Sequence, residues 1–538
     1  MDELSILNIR HLCSVLKRHQ VTMIKHKIGL VYVPGALPCF EAFGRLPTNI
    51  VGQDGQVGNE TASEALDMII IPGGSLVESA TIKGKLEKEI IKMADLGKIV
   101  LGICSGFQVL SNGTDIGRLS ATPIIRKGLG LIDAEVSPLI CTDQVKATII
   151  GKSCLTDAVG KEVKGFHCHT YGNILAHKNA KPILMSHPNR VNYFKEIKEL
   201  TSGIANQKGN VIGVFLHGLL DKNPLIIEGI TKSLSIKPEE LEEIRAQNAK
   251  LQEQMKNEIG ILTNISPKIT NSKKSKVAHT LLITALGSES GKTFFTTGLA
   301  GVLKKQGINV GVLKVGGDIR DAVPALYLIK EPMRDYSSIK ISKSGWIEPI
   351  EAITQASKEY EFIIVEGAMS AFTGMLITQG QRPFSTAEVA IALGVPTVVI
   401  AGCTKEGIEG GIISAFNYVK LLKSLGANVA GVVLNKVHIS YLSQEMRAQI
   451  EQAFKNLGVK LLGFIPRVDV EGRGAIPEVE IKYEEFCAKA VETIESAINL
   501  DNVLSLAKPA KPVSLDYEEI VKKFRRSIFL DCNSETVS

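Results

Sequence analysis

The sequence predicts an α/β protein of two doubly wound domains, and three observations predict it. Short runs of valine, isoleucine and glycine recur between amphipathic stretches, the pattern of buried parallel strands covered by helices. The length of 538 residues implies two or more domains. Apolar residues make up 44% of the chain and aromatic ones 5%, so the cores are aliphatic.

The elements follow in order. Residues 1–27 read as an N-terminal extension without the apolar centre of a secretory signal. Met23 stands just before the first strand, so residues 1–22 are either an added helix or a mis-assigned start. The first domain spans 28–236, with strands expected at Ile28–Val33, Met68–Ile71, Ile99–Leu101 and Val211–Leu216. Residues 237–277 form a linker, first rich in helix formers and then polar, as in "SPKITNSKKSK". The second domain spans 278–500, with strands at His279–Ala285, Val310–Leu313, Phe362–Val365, Thr397–Ala401 and Val429–Leu434. Residues 501–538 read as a C-terminal tail with one helix near Tyr517–Phe524.

Charge and cysteine content narrow the function. A net charge of +6 with no dense basic stripe argues against a nucleic-acid partner. No apolar run reaches membrane length, which argues against a membrane partner. Nine cysteines without a C-x-x-C pair suit reduced thiols and a cytoplasmic location.

The first chemical motif is "GICSG", Gly102 to Gly106. It is the cysteine form of a nucleophile elbow, in which a strand ends, the chain turns and a helix begins. The helix N-terminus favours a thiolate at Cys104. The strand Met68–Ile71 runs into "PGGS", so the N–H groups of Gly73 and Gly74, with that of Ser105, can face a developing oxyanion. His217, at the end of an apolar strand in "GVFLHGLLD", is the candidate general base.

The second motif is "LLITALGSESGKTFF": strand, glycine- and serine-rich loop, Lys292-Thr293, helix. It has the layout of a phosphate-binding loop in which Gly287, Ser288, Glu289, Ser290 and Gly291 cradle phosphates. Lys292 reaches the outer phosphates and Thr293 holds Mg²⁺. Leu286 stands where the strict motif has its first glycine. Glu366 follows another apolar strand, where a carboxylate meets the metal.

These segments carry a family resemblance. "PGGS", "GICSGFQVL", "GLGLIDAE", "GFHCHTYG" and "GVFLHGLLD" resemble the flavodoxin-like class I glutamine amidotransferase domain of cobyric acid synthase. The later segments Lys314–Ala322, Val365–Gly367, Ser385–Ala390 and Val433–Lys436 resemble the P-loop ATP-binding domain that cobyric acid synthase and cobyrinic acid a,c-diamide synthase share with dethiobiotin synthetase. The resemblance implies that Cys104 attacks glutamine, that His217 moves the proton, and that Mg·ATP activates a carboxylate as an acyl phosphate. It implies roles in phosphoryl transfer for Lys314, Asp318 and Asp321, metal binding by Thr293, Glu366 and Asp318, and a contact of Asn435 with adenine. The implied reaction is formation of an amide from glutamine, ATP and a small carboxylate, a corrinoid or other tetrapyrrole acid.

The chain also departs from that family. The family places the ATP domain first; here it comes second. Ala322–Ile341 does not continue the substrate-site pattern, and "FIPRVDVEGRGAIPEV" stands where the family has R-H-L-G-L. Many glutamine amidotransferases have Glu two residues after the histidine; here that position is Leu219, which leaves Asp221 as the candidate orienting acid. "HCH", His167–His169, assigns His169 a packing or site-lining role, since two histidines do not make a zinc site. Two rivals stay open: a nucleotide-regulated sensor with a glutaminase-like domain, and an amidoligase for a non-tetrapyrrole acid. The oligomeric state is open too, a homodimer included.

Overall fold

The computed structural model describes residues 24–193, 195–263, 278–377, 382–404, 407–469 and 482–529. Residues 1–23, with the alternative start Met23, and the whole of "VEGRGAIPEV" lie outside the described residues.

The first block is built on a nine-stranded sheet. Its parallel part has the spatial order Asn49–Val51, Ile28–Val31, Met68–Ile71, Ile99–Ile103, Val211–Val214. Along the chain these are the second, first, third, fourth and fifth strands, the flavodoxin-like doubly wound order. All residues of Met68–Ile71 and Ile99–Ile103 are buried, as expected for strands covered on both faces. Beyond Val211–Val214 the sheet continues antiparallel through Leu200–Ala205, Lys181–Ser186, Gln144–Ile149 and Glu162–Phe166. A smaller sheet pairs Ala134–Cys141 with His169–Ala176 antiparallel.

The linker begins as part of this block. The helix Pro238–Glu258 has proline in its first turn beside Glu239 and Glu240, a start that suits the helix dipole. It buries Ile244 and Met255 in the first core, and Asn248 Nδ2 donates to Pro47 O at 2.8 Å.

The second block has a parallel sheet in the order Ser338–Ile339, Val310–Val315, Phe362–Glu366, His279–Ala285, Thr397–Gly402, Val429–Val437, Lys460–Pro466. The segment expected as a tail corrects the sequence reading. Lys508–Pro509 pairs antiparallel with His279–Ala285, and the helices Leu500–Leu506 and Tyr517–Phe529 pack on the block. The cause is apolar spacing: Ile520, Val521 and Phe524 share one helical face and are buried.

The blocks meet over a mixed surface. Leu37, Phe40 and Phe166 of the first block join the core of the second. Met333 N–H donates to Phe40 O at 3.2 Å, and Trp346 packs on Phe166 with centroids 5.1 Å apart. Among the described residues no helix is long and apolar enough to cross a membrane.

The elbow requires both its glycines. A Cβ on Gly102 would strike the Gly106 carbonyl, and one on Gly106 would strike the Ile71 carbonyl. Neither obstacle is a side-chain tip that can swing away. Gly106→Ala is expected to cost about 2 kcal/mol, read as a loss of roughly 4–8 °C in the first block's melting temperature. An unchanged melting curve would contradict this packing.

Candidate active sites

Cys104 sits between the strand Ile99–Ile103 and the helix Ser105–Leu110 with φ 53° and ψ −111°. That backbone is strained for a residue with a side chain, and it holds the thiol out of the turn. Gly73 lies over the thiol: a Cβ there would meet His217 Cε1 at 3.0 Å and Cys104 Cβ at 3.4 Å. Gly74, at φ 144°, accepts a hydrogen bond from the Ser105 hydroxyl, which ties the "PGGS" loop to the elbow. The candidate nucleophile, base and oxyanion residues are therefore gathered in one place.

The acid partner of His217 is Glu41, which sequence reasoning missed. Glu41 Oε1 lies 2.5 Å from His217 Nδ1, and Oε2 accepts from Gly218 N–H at 2.6 Å. Both side chains are buried. Burial alone would push the imidazole down, but the Glu41 carboxylate and the neighbouring Cys104 outweigh it and raise His217 to about 10. His217 Nε2 makes no other hydrogen bond and is turned to Cys104.

Asp221 corrects the sequence reading. It does not touch His217; its carboxylate accepts from Ala42 N–H at 2.9 Å and Gly44 N–H at 2.6 Å. Phe43, Gly44 and Arg45 all have φ between 50° and 67°, and strain of this kind costs about 1–2 kcal/mol per non-glycine residue. Asp221 clamps that turn and so positions Glu41 two residues before it. Leu219, two residues after His217, is buried in the core.

The second site opens at Gly291, φ 91°, where the helix Lys292–Lys305 begins. Lys292 Nζ donates to Met369 O at 2.6 Å and Gly287 O at 3.3 Å. Burial and the nearby Lys314 ammonium pull Lys292 down to about 8, against Glu366 and Asp321. Lys314 is itself buried, with Asp321 Oδ2 at 2.7 Å and Glu366 Oε1 at 3.1 Å. Burial opposes its charge, but those two carboxylates hold its pKa above the usual lysine range. Thr293 Oγ1 donates to Glu366 Oε1 at 2.7 Å, while Glu366 Oε2 is buried without a hydrogen-bond partner. Two hard oxygen ligands with one lone-pair set free fit a divalent cation such as Mg²⁺.

Two further assignments change. Asp318 is turned away from Glu366: Arg320 Nε and Nη2 donate to its two oxygens at 2.7 Å each, so the expected metal set of Thr293, Glu366 and Asp318 is not gathered. A planar guanidinium two residues along offers both bonds at once, and that draws the carboxylate aside. Asn435 Nδ2 donates to Ser290 O at 2.8 Å, so its amide holds the loop backbone instead of standing open to a base. Lys436 Nζ donates to Glu289 O at 2.6 Å, a second strut on that loop.

One segment joins the sites. Cys104 Sγ points to Cys168 O at 3.7 Å, and Thr170 Oγ1 accepts from Arg320 Nη1 at 2.7 Å. Arg320 Nη2 also donates to Tyr193 OH at 2.5 Å. Residues 168–170 thus lead from the thiol to the Asp318–Arg320 pair.

Comparisons with known proteins agree with this geometry. Residues 44–225 match the CobB/CobQ-like glutamine amidotransferase domain, and residues 281–473 match the CobQ/CobB/MinD/ParA nucleotide binding domain. The chain is 32% identical over 190 residues to cobyric acid synthase of Thermoanaerobacter sp. (strain X514), covering 33% of this chain and 36% of that protein. It is 27% identical over 244 residues to cobyrinate a,c-diamide synthase of Dehalococcoides mccartyi (strain CBDB1), covering 43% and 49%. It is 30% identical over 187 residues to hydrogenobyrinate a,c-diamide synthase of Mycobacterium tuberculosis (strain CDC 1551 / Oshkosh), covering 34% and 39%. The chain thus spans half or less of the length of these curated relatives.

The Glu41 contact has a measurable consequence. Glu41→Gln removes the charge that keeps His217 protonated, so Cys104 loses its cationic neighbour. Alkylation of Cys104 by iodoacetamide at pH 7 is expected to slow about tenfold, and the pH at which the wild-type rate changes near 10 to move down. Asp221→Asn, acting through the turn, is expected to have a smaller effect. Equal rates for wild type and Glu41→Gln would remove Glu41 from the site.

Proposed function

We propose that this chain, a CobB/CobQ-like glutamine amidotransferase domain followed by a CobQ/CobB/MinD/ParA nucleotide binding domain, is an ATP-dependent, glutamine-hydrolysing amidoligase. Its acceptor is a corrinoid or other tetrapyrrole carboxylic acid, in keeping with the cobyric acid, cobyrinate and hydrogenobyrinate for which its curated relatives are named. The observation that carries the reading is the segment 168–170, which contacts the thiol at one end and Arg320 of the second block at the other.

The Cys104 thiolate attacks the side-chain amide carbon of glutamine, and the charge on the oxygen falls to the N–H groups around Gly73, Gly74 and Ser105. His217 passes a proton to the leaving nitrogen, ammonia departs, and a γ-glutamyl thioester remains. Glu41 keeps the imidazole oriented through both steps. Water then cleaves the thioester, releasing glutamate and the thiol.

In the second block a carboxylate oxygen of the acceptor displaces ADP from the γ-phosphorus of ATP and forms an acyl phosphate. Ammonia attacks the acyl carbon, phosphate leaves and the amide results. The loop 287–291 and Lys292 hold the phosphates, and Lys314, flanked by Asp321 and Glu366, faces the transferring group. Thr293 and Glu366 would hold Mg²⁺, which screens phosphate charge when bound. Keeping both sites on one chain raises the local concentration of ammonia.

A second reading has its own support. Asp318 is committed to Arg320, and Ala322–Ile341 departs from the family's substrate pattern, which favours an acceptor other than a tetrapyrrole. A nucleotide-regulated sensor is the outcome if ATP turnover never responds to any carboxylate.

The test follows amide nitrogen. With amide-¹⁵N glutamine, ATP and a corrinoid acid, wild type is expected to place ¹⁵N in the product. Cys104→Ser is expected to lose glutamine-dependent synthesis by at least about 10³-fold while retaining synthesis from ammonium chloride. Lys292→Ala is expected to lose both. Glutamine hydrolysis by Cys104→Ser at the wild-type rate would end the proposal.

A further inference from the structure

Beside the thiol site lies a buried cluster of Cys141, His167 and His169 that the mechanism does not use. The antiparallel register of Ala134–Cys141 against His169–Ala176 sets Cys141 directly opposite His169, so their side chains share one face. His167 comes two residues earlier, and one ligand atom from each of the three lies within 4.8 Å of the others. All three are buried, His167 at 0% exposure.

The hydrogen bonds around the cluster prepare it for a cation. His169 Nδ1 is 3.1 Å from Leu139 O, and His167 Nδ1 is 3.2 Å from Phe215 O. A ring whose Nδ1–H is held by a backbone carbonyl presents its Nε2 lone pair, the usual outer support of a metal-binding histidine. His167 Nε2 is buried and has no hydrogen-bond partner, which leaves a polar atom unsatisfied in the core. The rings also meet each other, His169 Nε2 lying 3.1 Å from His167 Nδ1.

We propose that Cys141, His167 and His169 bind one zinc-class divalent cation, at a site that adjoins the thiol site and shares no side chain with it. One thiolate and two imidazoles form a borderline-soft set that selects Zn²⁺ over Mg²⁺. Binding breaks the Cys141 S–H bond and forms a metal–sulfur bond; the proton leaves to solvent and no electron is transferred. The cation would fasten the two strands to the start of segment 168–170, the stretch that reaches both Cys104 and Arg320. The site does not depend on the amidoligase reading.

The test uses the full-length, untagged chain grown with zinc and dialysed against metal-free buffer. Elemental analysis is expected to find close to one zinc per chain. Exchange with Co²⁺ is expected to give visible absorption together with the thiolate-to-cobalt band that a sulfur ligand produces. Cys141→Ala and His169→Ala, checked by circular dichroism for retained secondary structure, are expected to lose metal and band, while Cys104→Ala keeps both. Wild type that takes up neither zinc nor cobalt overturns the proposal, as does unchanged metal content in both cluster variants. Should a variant not fold, the wild-type cobalt spectrum decides, because without a thiolate ligand that band is absent.

Discussion

The contact on which the thiol site depends is a buried carboxylate against a buried imidazole, Glu41 against His217. A charge taken out of water is costly unless it is paired and hydrogen-bonded. Here the pair is completed by the Gly218 N–H, and the turn that delivers Glu41 is clamped by Asp221. Strain at Phe43 and Arg45 is the cost of bringing an acid to the histidine from far upstream. The arrangement therefore rests on a loop, whereas the elbow that bears Cys104 rests on the sheet.

That loop is shared between the blocks. Phe40, next to Glu41, has its ring 5.2 Å from the His217 ring, and its carbonyl accepts from Met333 of the second block. Met333 lies just beyond the helix Val323–Ile329, which follows Asp318 and Asp321. The second path, through residues 168–170, runs to the thiol itself. The two blocks are thus in contact beside both His217 and Cys104.

Much of this was legible in the sequence, for physical reasons. The strands were readable because apolar runs mark parallel strands buried on both faces, as at Met68–Ile71. Cys104 was readable because its two glycines answer to backbone collisions that no other residue avoids. Lys292 was readable because it opens a helix directly after a strand and a small-residue loop. Glu41 was not, since its role comes from a tertiary contact 176 residues away and it falls just before the stretch that matches the amidotransferase family. Asp318 and Asp321 both read as site acids in sequence, with the metal assigned to Asp318. Arg320 between them captures the first and leaves the second for Lys314, a choice made by guanidinium geometry and not by spacing. Cys141 gave no sign of belonging with His167 and His169, because strand register brought it there.

The nucleotide site has a charge arrangement that makes sense for an anionic ligand. Lys292, Lys314 and Glu366 are buried and Asp321 closes the group from the solvent side, so two positive and two negative groups stand together. Lys314 takes both carboxylates, and Lys292 is left with backbone carbonyls and a lowered affinity for its proton. A lysine held in that state is a weak partner for its surroundings and a strong one for an incoming phosphate, because the anion supplies the counter-charge that the protein withholds. The unpartnered Glu366 Oε2 is the matching vacancy on the acidic side, suited to a cation that arrives with the phosphates. The internal ion pairs thus leave one cation and one carboxylate oxygen in reserve, and those are the two groups that a metal–nucleotide complex requires.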